Sequence, residues 1–431
     1  MKNKRLKVLL VIEQCNPEWA SVPLEGYCFY DQISQLVDVS LVTHERNKPA
    51  LERVHSDRDI TYISESTFIK RYFKVVTRLS KLGNKVIWPL YQALRYPVYG
   101  EFNHLVYSKF KDSITRGDYD VVHAITPMMP RYPVKAIRAC QNTPFILGPV
   151  NGGVSFPKGF RDIARQEFAD FNFLRLIGRF IIPGYRETYE NSDYILAGST
   201  YTMNLIKSLF NIESSKIELL YENGIYESFL KRTDTYEVKD ANDGMKVNLL
   251  FVGRLVPYKG ADMLIEAISK LGQKYLDKVF LTIVGDGSER GKLEQLVQTF
   301  NLKDKVDFAG WVEQKETLKY YRKSDIFCFP SIREFGGAVV LEAMGNGLPC
   351  IVINNGGIGE YVTPETGYTI EPLSREYVIR ELKRCLENWI PDRKLRQSMA
   401  HRAIQRASEF TWPFKAKVIV DTYHKVLAKS V

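Results

Sequence analysis

The chain of 431 residues has little histidine and little cysteine, six of each. The cysteines, at positions 15, 28, 140, 328, 350 and 385, form no C-x-x-C pair and show no zinc-ligand spacing. Cys328 and Cys350 sit in apolar runs, where a thiol behaves as a small hydrophobe. This excludes a disulfide framework and points to a reducing compartment. No apolar stretch reaches the roughly 18 residues that a spanning helix needs. The start, MKNKRLKVLLVIEQC, is basic and then apolar, but it meets Glu13 where a small-residue cleavage site would stand. It reads as a first buried strand and not as a signal peptide, so the expected location is cytoplasmic. Zinc fingers, RNP-like aromatic motifs and Lys/Arg-rich tracts are all missing, which argues against nucleic acid as a partner.

Acidic residues are missing from 66 to 100, a stretch that holds seven basic ones. It concentrates part of a net charge of +10. At about 100° per residue, Lys70, Lys74, Arg78, Lys81 and Lys85 share less than a quarter of a helix's circumference, with Tyr72, Val76, Leu79 and Leu82 towards the other side. A basic face beside an aromatic-rich apolar one suits an anionic leaflet, so residues 68–95 are expected to touch the inner face of the membrane peripherally. A surface helix packed on the core with a solvated basic face is the alternative. Gly83 and Asn84 interrupt the pattern.

What is present is enough apolar residue, 45%, for real cores. Short apolar runs alternate with helix-length amphipathic segments, the signature of an α/β architecture. Strands are expected at 7–12, 37–43, 120–125, 144–150, 194–199 and 216–221. A second series follows at 247–253, 278–285, 305–310, 326–331 and 348–353. The polar stretch 234–246 separates the two series and reads as a linker. The resulting division is 1–233, 247–410 and a closing helix from 411 to 431. Doubly wound halves place ligands at the carboxyl ends of their strands.

Two motifs stand at such ends. In EFGGAVVLEAM (334–344), Glu334 follows an apolar strand, Gly336 and Gly337 follow it, and Glu342 lies about one turn inside the next helix. A helix N-terminus offers unpaired N–H groups and partial positive charge, and glycines lack the Cβ that would hold a ligand off the backbone. Two carboxylates at that spacing suit hydroxyls at opposite ends of one long polar ligand. In NLLFVGRLVPYKGADMLIEA (248–267), the strand ends at Gly253, and Arg254 and Lys259 precede a helix starting near Gly260. A forked guanidinium and a point-charge ammonium at a helix mouth suit a diphosphate.

These two stretches resemble the E-x7-E and G-R-x4-K-G motifs of family 4 of the retaining GT-B glycosyltransferases. The resemblance implies two Rossmann-like doubly wound domains facing across a cleft, with a C-terminal helix crossing back to the first. It implies a nucleotide-sugar donor and no metal or other cofactor. Glu334 and the amides of Phe335, Gly336, Gly337 and Ala338 would hold the donor sugar, Glu342 the ribose, and Arg254 and Lys259 the diphosphate. Gly253 and Gly285 would line the nucleotide side, and Gly310, Trp311 and Val312 would meet the base through backbone groups. Trp311 is equally readable as a core residue. The acceptor, a glycan or lipid-linked glycan of bacterial polysaccharide assembly, would bind the first domain.

There, His123 emerges from a buried strand, and PFILGPVNGG (144–153) ends in Gly152 and Gly153. The latter resembles a G-P-V-G-G-G segment of one subgroup, with Asn151 replacing a glycine. His123 reads either as a catalytic group or as a satisfied structural residue. Many family members carry a second histidine where this chain has Ile125. Asp57-Arg58-Asp59 fits the letters of a metal-binding D-x-D but precedes an apolar run and reads as a solvated turn. UDP-sugars are the first expectation for the donor and GDP-mannose the second. A non-catalytic sugar-binding protein is the rival. A hydrolase using Glu334 and Glu342 is rejected, because the helix N-terminus and nearby cations are expected to keep both carboxyls ionised.

Overall fold

The computed structural model describes residues 5–82, 85–128, 130, 132–230 and 246–429. The linker expected at 234–246 therefore lies, except for Lys246, outside the described residues, as do Gly83 and Asn84. The chain forms two compact units that are not contiguous in sequence. The first takes the residues through Gly153, then Glu167–Glu222, and finally the segment from Trp412. The second takes Val154–Gln166 and Asn223–Thr411.

The first unit holds strands β1 (Lys7–Val11), β2 (Asp38–His44), β3 (Ile60–Ile63), β4 (Lys81–Leu82), β5 (Lys85–Val86), β6 (Val121–Ala124), β7 (Phe145–Val150), β8 (Tyr194–Ala197) and β9 (Ile217–Leu219). Seven of them form one sheet in the order β3-β2-β1-β6-β7-β8-β9, and β4 and β5 make a separate antiparallel pair. Every pairing in the large sheet is parallel. Parallel strands covered on both faces read as continuous apolar runs, and β6, β7 and β8 are buried throughout. One face packs Leu9, Val122 and Leu147 against Phe102, Val106 and Phe210 of covering helices. The other packs Leu10, Val121 and Ile146 against Phe29 and Ile33 of helix Val22–Leu36 and against Trp412, Ile419 and Tyr423. The last three belong to helix Trp412–Leu427, so the C-terminal helix does close on the first sheet. The basic helix is shorter than expected. It spans Thr67–Leu79, which leaves Lys81 and Lys85 on the β4–β5 pair, and Val76 is buried instead of lying on an outer apolar side.

The second unit holds β10 (Val247–Val252), β11 (Val279–Val284), β12 (Val306–Gly310), β13 (Ile326–Phe329), β14 (Cys350–Ile353) and β15 (Gly367–Ile370). Their order is β12-β11-β10-β13-β14-β15, again all parallel. The chain winds outward from β10 through β12 and then returns to the opposite side of β10 with β13. That reversal leaves a crevice at the carboxyl ends of β10 and β13, the position where doubly wound sheets take ligands.

Candidate functional site

The loops leaving β10 and β13 bring the two sequence motifs together. After β10 the chain passes Gly253 and Arg254, makes a single 3-10 turn over Pro257–Lys259, and enters helix Ala261–Ser269. Gly260, between turn and helix, has φ 72°, and a Cβ there would stand 2.3 Å from the Pro330 carbonyl oxygen. Only glycine fits such a left-handed, crowded position. Lys259 lays its ammonium 4.9 Å from the centre of the Phe329 ring and pairs it with the Glu334 carboxylate. Glu334 Oε1 also accepts from the Ser331 hydroxyl at 2.9 Å. Arg254 lies exposed and donates to the Tyr258 hydroxyl at 2.8 Å.

Helix Ala338–Gly345 starts directly after Gly337, which has φ 69° and supplies no side-chain cap. Val340 N–H donates to the Gly337 carbonyl oxygen at 3.0 Å, and the helix N-terminus, with the positive end of its dipole, stands at the carboxyl end of β13 without a side-chain cap. The GG turn after β14 packs onto this loop. Glu334 bridges Gly356 in parallel register, and a Cβ on Gly356 would come 1.8 Å from the Glu334 carbonyl oxygen.

Glu342 sits inside this helix, only 4% exposed. Gln314 Nε2 donates to its Oε1 at 2.7 Å and the Tyr321 hydroxyl to its Oε2 at 2.9 Å. Burial pushes its carboxyl above the ordinary carboxylate range, and the two hydrogen bonds oppose that shift without cancelling it. Burial thus works against the local positive charge expected to favour the ionised form of this group. Gln314, Tyr321 and Ser331 were not singled out from the sequence. Gln314 and Tyr321 lie on helix Gln314–Lys323, seven residues apart, a spacing that puts both on one helix face.

The ends of β11 and β12 complete the crevice. Gly253 N–H donates to Val284 O at 2.9 Å, and Gly285 N–H donates to Gly310 O at 2.8 Å. A Cβ on Gly285 would meet the Gly253 carbonyl oxygen at 2.0 Å. Trp311 follows Gly310 and is 73% exposed, so the core reading of this residue is set aside; Val312 lies beside it at intermediate exposure.

In the first unit, His123 is fully buried on β6. Its Nε2 stands 2.7 Å from the Gly148 carbonyl oxygen and its Nδ1 2.7 Å from the Tyr423 hydroxyl. A carbonyl only accepts, so Nε2 carries the proton and Nδ1 accepts from the tyrosine. Burial lowers the imidazole pKa to about 4. His123 is therefore a satisfied core residue with no lone pair left for proton abstraction, and the catalytic reading of it is corrected. Gly152 exchanges hydrogen bonds with Thr202 Oγ1, and Asn151 Oδ1 accepts from the hydroxyls of Ser199 and Thr202 at 2.9 Å each. The asparagine that replaces a glycine ties the end of β7 to the start of helix Thr200–Phe210. Gly153, at φ 85°, packs beside Leu205 of that helix. Asp59 of the D-x-D letters accepts from Ser40 in the turn before β3.

Comparison with known proteins comes to bear on this geometry. Residues 233–406 match the family model described as glycosyl transferases group 1. An uncharacterized glycosyltransferase, MJ1607, of Methanocaldococcus jannaschii is 30% identical over 248 residues, covering 56% of this chain and 61% of that protein. The chain thus spans less than two thirds of that relative's length. Among solved structures, the lipopolysaccharide outer core galactosyltransferase WaaB superposes with a TM-score of 0.63 at 15% identity, covering 99% of this chain and 100% of that one. Anabaena HepE in complex with UDP gives 0.59 at 16% identity, covering 97% and 100%. The two parallel-sheet units and these likenesses together show that the chain has the GT-B fold, with a glycosyl transferases group 1 match over most of its second unit.

Proposed function

We propose that the chain is a retaining hexosyltransferase of family 4 that moves a hexose from a nucleoside diphosphate sugar to a hydroxyl of a glycan or lipid-linked glycan in bacterial surface-polysaccharide assembly. The observation that carries this reading is the meeting of Lys259 with Glu334. Two motifs that lie 75 residues apart deliver a cation and a carboxylate to one crevice, at the mouth of an uncapped helix. Lys259 and Arg254 would turn to the donor's diphosphate and neutralise the charge that grows as the C1–O bond to phosphate breaks. Glu334, released from Lys259, would take the sugar's hydroxyls, together with the N–H groups from Phe335 to Ala338. Glu342 would take the ribose with its remaining lone pairs. The acceptor oxygen would bond C1 on the face the diphosphate leaves, and its proton would pass to the departing phosphate oxygen. UDP is the favoured nucleotide, since Anabaena HepE holds UDP; GDP-mannose is the second choice.

Incubation with UDP-glucose, UDP-galactose, UDP-N-acetylglucosamine and GDP-mannose, with mass-spectrometric detection of released diphosphate, tests the reading. Release from one donor is expected, reduced by ~100-fold or more in Arg254→Ala. Tight binding of a donor with no release on any acceptor would make this a binding protein and overturn the proposal.

A further inference from the structure

The first unit carries an apolar face that the described residues leave uncovered. Helix Phe173–Ile181 exposes Phe173, Ile177, Phe180 and Ile181. These positions follow i, i+4, i+7 and i+8, the spacing of one helix face that ordinarily packs on a core. Here it points outward, with Phe180 89% exposed. Helix Trp88–Leu94 packs against this helix on one side and against helix Thr67–Leu79 on the other. It adds exposed Trp88, and the 3-10 turn Ala169–Asn172 adds Phe171.

Helix Thr67–Leu79 repeats the arrangement with charge. Its inner face buries Ile69 and Val76. Its outer surface divides in two at about 100° per residue: Phe68, Val75 and Leu79 form one exposed strip, and Lys70, Arg71, Lys74 and Arg78 form the strip beside it. Lys81 on β4 is exposed as well. Of these cations, Lys70 has an acidic neighbour, Glu45, at 3.8 Å. Soluble proteins rarely leave so many large apolar side chains together in water unless something covers them. Cations flanking the apolar strip select a partner that is apolar beneath an anionic surface. Among the described residues no helix is long and apolar enough to cross a membrane, so contact of this kind would be lateral.

We propose that the face built from helices Thr67–Leu79, Trp88–Leu94 and Phe173–Ile181 docks onto an anionic lipid leaflet, with Phe180 and Ile181 entering the acyl boundary and the lysines and arginines meeting phosphate headgroups. The proposal goes beyond sugar transfer and stands on this surface alone.

Flotation of the full chain with phosphatidylcholine vesicles, with and without phosphatidylglycerol, tests it. The protein should float with the anionic vesicles and be released by salt. Phe180→Asp/Ile181→Asp should cut the partition coefficient about tenfold or more, since two buried apolar side chains are lost. Lys74→Glu/Arg78→Glu should cut it about fivefold per cation at low salt. Both pairs should melt at the wild-type temperature, since the replaced side chains are exposed. Arg254→Ala should float unchanged, so the failure of either reading leaves the other standing. Absence of flotation, or flotation indifferent to Phe180→Asp/Ile181→Asp, overturns the proposal. So does a wild-type dimer that does not float and that the same pair of substitutions splits, because a second copy would then cover the face.

Discussion

Replacing Lys259 by alanine should damage stability and turnover by separate routes. The paired side chains are 12% and 11% exposed, so little water is available to replace the ammonium. Removing one partner of a fully buried pair costs about 3–5 kcal/mol because the other charge is stranded. Here the Ser331 hydroxyl still donates to Glu334, which brings the expected loss down to about 2 kcal/mol. For a unit of this size that lowers the melting temperature by about 4–8 °C. Lys259→Ala/Glu334→Gln should recover much of that loss, since a neutral amide no longer demands a cation. Turnover should behave differently. Losing a charge that stabilises the departing diphosphate costs ~100-fold or more, about 3 kcal/mol of barrier, and the double variant cannot restore it. Thermal melts with and without UDP, beside initial rates on the accepted donor, read both effects. If the single and double variants melt together at the wild-type temperature, the pair does not hold the two loops. If Lys259→Ala turns over near the wild-type rate, the cation does not sit on the diphosphate.

Two further substitutions probe buried titrating groups. The Glu342 carboxyl holds its proton to higher pH when folded than when unfolded, so the folded state binds more protons between the ordinary carboxylate value and its raised one, and stability falls as pH rises through that window. Glu342→Gln should therefore flatten the difference between melts at about pH 5 and about pH 8 while weakening UDP binding; an unchanged pH dependence would refute the burial argument. His123→Phe fills the site but strands the Gly148 carbonyl and the Tyr423 hydroxyl, which should cost about 2–4 kcal/mol, with turnover per folded molecule within a few-fold of wild type. Because the folded imidazole pKa is near 4, the unfolded chain takes up the proton first, so the wild type should lose stability as pH falls from the usual imidazole value towards about 4, and the variant should not.

The sheets were legible because parallel strands covered on both faces must be apolar throughout, as in FILGPV and IFCF. β15, GYTI, escaped because it has a glycine and two half-buried residues, and β3 because three of its four residues are only half-buried. The site motifs were legible from their glycine spacing. Glu342's burial was not, because Gln314 and Tyr321 reach it from another helix and no local pattern announces a hydrogen-bond partner 21 or 28 residues away. The apolar face of helix Phe173–Ile181 fails in the opposite sense. Its periodicity is that of a core helix, and only the fold reveals that the stripe faces water.

The glycines at the strand ends do something other than open the backbone to a ligand. Carbonyl oxygens of neighbouring loops fill the space that a Cβ would take at Gly253's neighbour Gly285, at Gly356 and at Gly357, where the Phe335 oxygen stands 2.3 Å away. Each loop thus rests on the next, backbone to backbone, and the stack fixes where the intervening side chains emerge. Glu334 is held this way: its carbonyl lies under Gly356, and its carboxylate takes Lys259 and Ser331. The backbone of such a stack stays fixed when a substrate arrives, so only the Lys259–Glu334 pairing has to be exchanged for contacts to the donor and the loops need not be rebuilt. A methyl group at Gly356 would push Glu334 aside before any ligand met it, so the glycines belong to the positioning of the charged groups and only through them to binding.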